Sequence, residues 1–145
     1  SIRWTLIGFA VLVPTLYVNF TYHQAVIDFF GVEQEYLSLS FKENGYSIYT
    51  VIFTICVMPA IWEEIAFRGI LQSQFTKAVG HREASLVTAI LFASIHMSFI
   101  SGFFLSGLGL ILGGLRFYSK SLWPGILVHF IHNFVVVMVE YREIW

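Results

Sequence analysis

Glu63, His96, His129 and Asn133 are the side chains in this sequence that could carry chemistry together. A carboxylate can take a proton from water as a general base, and an adjacent imidazole can hold that water and pass its proton on. A His and an Asn one helical turn apart, as at 129 and 133, can donate hydrogen bonds to a developing oxyanion. This set suits hydrolysis. The same residue types also suit a zinc site of Glu63, His96 and His129, in which the metal would generate the hydroxide. Nothing resembles a serine or cysteine nucleophile beside a histidine and an acid, and the single Cys56, set in an apolar run, reads as a core residue.

Glu63 belongs to a cluster, Ile61-Trp62-Glu63-Glu64-Ile65-Ala66-Phe67-Arg68-Gly69, that interrupts lipid-soluble sequence. A charge at the bilayer centre costs about 2.5 to 3.5 kcal/mol on insertion scales, so the cluster needs partners, water or a function. Glu64 and Arg68 are four apart and can pair on a helix; Glu63 lies about 100° round the axis and has no local cation. Glu64 and Arg68 are therefore read as structural support and Glu63 as the functional member. Taken singly, His96 could equally be a helix-bonding residue, Asn133 is more often interhelical glue, and His132 is read as packing or bonding locally.

The elements that must position these groups are membrane helices. The 145 residues are 57% hydrophobic and 12% charged, against roughly 25% charged in a soluble domain. The net charge of −1 and the lack of a basic stripe exclude nucleic acid as a partner. About 20 apolar residues cross a bilayer, and five spans are expected. The first runs from Trp4 to about Tyr22, with Pro14 as a kink. The second runs from near Ser47 through Pro59 and the acidic cluster, then continues as an amphipathic arm to Val79, with Gly80 as its stop. The charge-free stretch Ala84–Leu115 is too long for one span and should break near Met97 to Gly102. The fifth runs from about Leu122 to Val139, with Pro124 in its first turn. Between the first two, His23 to Asn44 reads as an amphipathic interfacial connector carrying Asp28, Glu33, Glu35, Lys42 and Glu43. Gly109 and Gly113 are read as a close-packing pair.

Arg3, Lys77, Arg82, Arg116 and Lys120 fall on one side of this topology and Lys42 and Arg142 on the other, which predicts a cytoplasmic N-terminus. Counting residues places Glu63 about 6 Å above the inner boundary, His129 about 12 Å in, and His96 and Asn133 about 18 Å in, so they should meet in the inner half of the bilayer. Ser1 in place of Met, with apolar residues almost at once, reads as the processed or truncated end of a longer protein.

Glu63-Glu64-x-x-x-Arg68, Phe92-x-x-x-His96 and His129-x-x-x-Asn133, in that order on successive spans and with Ser121-Leu122-Trp123-Pro124 before the last, resemble the CPBP intramembrane proteases. That family includes CAAX proteases and bacteriocin-processing and self-immunity proteins. The resemblance covers about Pro59 to Phe134 within a single membrane domain. It implies an all-α polytopic bundle in a bacterial plasma membrane and an endopeptidase acting on a membrane-associated peptide or protein, lipidated or embedded. By the same resemblance Glu63 would activate water with His96, His129 and Asn133 would stabilise the oxyanion, and Glu64 and Arg68 would shape the site. No metal is the preferred expectation and zinc the alternative. Two other readings stay open at this point: a noncatalytic immunity-type binding protein and, less favoured for want of a repeated half, a proton-coupled carrier.

Overall fold

The computed structural model describes residues 2–31, 36–97 and 99–144, without the side chains of residues 99 and 100. The expectations for Ser1, Glu33 and Glu35 lie outside the described residues. The described residues form an all-α bundle of α1 (Ile2–Phe30), α2 (Leu39–Glu43), α3 (Ile48–Val79), α4 (His81–Ile95), α5 (Phe99–Ser119) and α6 (Trp123–Ile144). Among them α1, α3, α5 and α6 are long and apolar enough to cross a membrane. The expected third span is α4, and at 15 residues it rises only about 22 Å, short of the hydrocarbon thickness. It is bounded by Gly80, whose φ of 89° stops α3, and by a turn at His96 and Met97, where φ reaches 50°. That turn falls at the start of the expected Met97 to Gly102 break, and α4 with α5 forms a hairpin. The first helix runs eight residues beyond the expected Tyr22, so the residues from His23 to Phe30 extend it and the connector proper starts at Gly31.

Two features of α3 follow from its sequence. Pro59 has no N–H to give the carbonyl of Ile55, and the turn before it widens to five-residue spacing over Ile52–Val57, with the Met58 N–H donating to Phe53 O. A second wide turn covers Glu64–Leu71, where the Gln72 N–H donates to Phe67 O. Widened turns free backbone groups and turn side chains to new faces, and here they bracket Glu63.

Helix packing buries two apolar clusters. Leu12, Leu108, Leu112, Leu115 and Val128 join α1, α5 and α6, while Val51, Cys56 and Val137 join α3 to α6. The α4–α5 hairpin is tightly packed at Gly109, where a Cβ would meet the Ala89 Cα at 2.9 Å. Gly113 has a Cβ position 3.3 Å from Ser85 Oγ, and its carbonyl accepts Gln72 Nε2 at 3.0 Å. The glycine pair thus packs as expected, and its bare backbone also receives polar side chains of α3.

The two ends of the bundle are distinct. At one, Trp4 stacks on Tyr118 at 5.1 Å and His81 on Phe117 at 3.8 Å. At the other, Glu140 of α6 accepts from the backbone N–H groups of Leu37 (3.2 Å) and Ser38 (2.9 Å) and from Ser38 Oγ (2.6 Å), tying the connector down. Lys42 also donates to the carbonyl of Ile144.

Candidate active site

Glu64 and Arg68 pair as the four-residue spacing requires. Arg68 Nη1 donates to Glu64 Oε1 at 2.7 Å with both side chains 1% exposed, and Nη2 donates to Gly109 O at 3.1 Å. The guanidinium lies over the Phe92 ring at 4.6 Å. A charge pair in a low-dielectric interior needs its remaining polar groups engaged, and the glycine carbonyl and the aromatic face meet part of that need, while Arg68 Nε and Glu64 Oε2 have no hydrogen-bond partner in the protein.

Glu63 sits in a different environment. Its side chain is 25% exposed, on the wall of a cavity of about 480 Å³, and it faces His129 of α6, with Nε2 3.8 Å from Oε2. His129 is 2% exposed and bridges the two acids, because its Nδ1 lies 3.4 Å from Glu64 Oε1. Neither contact has hydrogen-bond geometry, but both lie within ion-pair range. Arg68, Glu64, His129 and Glu63 therefore form a continuous polar chain from the bundle interior to the cavity wall. Gly125 makes room for it: a Cβ there would lie 2.6 Å from Glu64 Oε2.

His96 ends α4 and lines the same cavity. Its Nδ1 lies 2.8 Å from Phe92 O, and a carbonyl only accepts, so Nδ1 carries the proton and Nε2 is left as an acceptor. Phe92 is the hub beneath the site: fully buried, it meets His96 at 4.9 Å and His129 edge-on at 5.7 Å. This is the physical content of the Phe92-x-x-x-His96 spacing.

Asn133 also lines the cavity. Its Nδ2 donates to Ile55 O at 3.0 Å, taking the carbonyl that Pro59 cannot serve, and its Oδ1 faces His132 Nδ1 at 3.1 Å. One N–H of the carboxamide is thereby committed to holding α6 against α3, and the second remains for a ligand. His132, read from sequence as a local packing residue, stacks on Phe104 at 5.9 Å but is also part of the cavity wall. His129, which residue counting sets at a depth close to that of Glu63, His96 and Asn133, lies against Glu63, with Nε2 3.8 Å from Oε2.

The cavity runs from Glu63 and His96 past Asn133 to Leu37 and Glu140, towards the connector end. Residue counting set Glu63 nearest the end that carries Arg3 and Lys120. Gly125, Gln72 and Glu140 are contributors that sequence reasoning missed. A glycine within a helix and an acid at a span's end were the available signals.

No curated protein and no solved structure matches the chain. The family model described as Rce1-like, type II CAAX prenyl endopeptidase, matches residues 45–135. That match begins ahead of α3, ends within α6 and contains Glu63, Glu64, Arg68, His96, His129 and Asn133, so the chain belongs to the Rce1-like family of membrane endopeptidases.

Proposed function

We propose that the chain hydrolyses a peptide bond of a prenylated or otherwise membrane-bound peptide, with Glu63 as the base that activates water. The observation that carries this is Glu63 itself: a carboxylate on a membrane helix at a cavity wall, with an imidazole 3.8 Å behind it and His96 on the same cavity. Water held by His96 Nε2 and Glu63 attacks the carbonyl carbon as Glu63 takes its proton. His129, oriented by Glu64, stabilises the protonated base from behind, while the free Asn133 N–H bonds to the oxyanion. As the C–N bond breaks, the proton passes from Glu63 to the leaving amine. The products are a carboxylate and an amine. Chemistry without a metal is the preferred reading because the Asn133 carboxamide suits an oxyanion hole better than a zinc shell.

Substrate reaches the site from the connector end or sideways from the bilayer. The charge bias supports a cytoplasmic N-terminus in a bacterial plasma membrane, which sets the connector end on the opposite face. The test is cleavage of a prenylated CAAX peptide by purified protein in bicelles, followed by mass spectrometry. Glu63→Gln should lower the rate by at least about 100-fold, and chelators should leave the unaltered protein's rate unchanged. Equal rates for Glu63→Gln would sink the assignment, and loss of activity to a chelator with recovery on added zinc would overturn the metal-free mechanism.

A further inference from the structure

The end of the bundle remote from the connector gathers charge of one sign. Among the described residues, Arg3, Lys77, Arg82, Arg116 and Lys120 lie on the helix ends and turns that meet there, against one acid, Glu83. None of the five is paired with a carboxylate among those residues, although the whole chain carries a net charge of −1. Two of them are held against rings. The Arg3 guanidinium lies 5.6 Å from the Trp4 ring, and Trp4 stacks on Tyr118 at 5.1 Å. Tyr118 meets Phe117 edge-on at 5.0 Å, and the Lys120 ammonium lies 4.7 Å from the Phe117 ring. One continuous aromatic run therefore carries an exposed cation at each end. Lys120 also stands where lysine is disfavoured. It follows the last turn of α5 with φ at 56° and donates its N–H to Arg116 O at 3.1 Å, a left-handed stop that glycine usually takes. Glycine would relieve the backbone; lysine adds an ammonium fixed over Phe117.

We infer that this end of the bundle binds anionic phospholipid, with Arg3 and Lys120 taking headgroup phosphate and the Trp4, Tyr118 and Phe117 rings holding both cations in place. Trp and Tyr at span ends lie at headgroup level, so cations resting on them sit among phosphates. The ligand is a phosphodiester whose charge is not cancelled by a cation of its own headgroup. A diffuse positive field depends only on how many cations are present. Here two of the five are positioned, and a left-handed backbone is kept at one of them.

The experiment places the chain in phosphatidylcholine bilayers with trace spin-labelled phosphatidylglycerol or spin-labelled phosphatidylcholine, and reads the protein-associated fraction of each by electron spin resonance. The unaltered chain should prefer phosphatidylglycerol by about tenfold or more, and Arg3→Gln and Lys120→Gly should each lower that preference about fivefold. Lys77→Gln removes the same charge at the same end but off the aromatic run, and should lower it no more than about twofold. Lys120→Arg should keep the preference. Lys120→Gly should unfold in detergent at a temperature no lower than that of the unaltered chain, since glycine suits the left-handed backbone, which separates loss of lipid from loss of fold. Inorganic phosphate at matched ionic strength should leave the preference unchanged. Absence of a preference, equal losses in Lys77→Gln and Lys120→Gly, a lower unfolding temperature in Lys120→Gly, or displacement by inorganic phosphate would overturn the inference.

Discussion

Replacing Gly125 by alanine puts a methyl group where the Glu64 carboxylate now lies. The new Cβ would be 2.6 Å from Oε2 and 3.5 Å from the carboxylate carbon. An ordinary C···O contact is about 3.4 Å, so Oε2 must retreat by about 0.8 Å. Glu64 has little room to do so, because it is 1% exposed and its other oxygen is bonded to Arg68 at 2.7 Å. A retreat of that size would stretch either that bond or the 3.4 Å approach to His129 beyond useful range. Overpacking of this kind costs about 1 to 3 kcal/mol, which for a chain of this length lowers the melting temperature by about 3 to 10 °C. Because His129 backs Glu63, the rate of peptide cleavage should also fall, by about tenfold or more for a loss of 1.4 kcal/mol in the transition state. The assay is paired thermal unfolding and initial rates in bicelles for Gly125→Ala, with Glu64→Asp added to shorten the acid. The double variant should relieve the overlap without restoring the rate, since the shorter acid draws back from both Arg68 and His129. A Gly125→Ala protein with unchanged melting temperature and rate would refute the claim that this glycine exists to admit Glu64.

Arg68→Met leaves a buried carboxylate without its cation and should destabilise the bundle by about 3 to 5 kcal/mol, while Arg68→Met with Glu64→Gln should regain much of that loss; additive effects in chemical denaturation would contradict the buried pair. Glu140→Leu removes the acceptor for Leu37 and Ser38, and charged hydrogen bonds are worth about 1.5 to 3 kcal/mol. Amide exchange at those two residues should accelerate at least about tenfold, and unchanged protection by mass spectrometry would show that the clamp does not hold the connector.

The sequence by itself determined the solvent and the pairing logic. Among the described residues four helices are long and apolar because the bilayer demands satisfied backbones, and Glu64 meets Arg68 because residues four apart share a helix face. Local spacing also brought Phe92 onto His96 and announced the stop at Gly80. What only the tertiary structure decided is which polar face meets which. His129 and His132 are three residues apart, so periodicity places both near one face and cannot say which lies behind Glu63 and which faces the cavity. That choice comes from how α6 docks on α3, through Asn133 on Ile55 O and through Gly125 yielding to Glu64. The short rise of α4 and the direction of the cavity were equally hidden, because residue counting assumes every apolar run crosses the whole bilayer. Packing carries no such assumption: α4 ends where His96 can reach the cavity, and the connector tied to Glu140 marks the far end of that cavity.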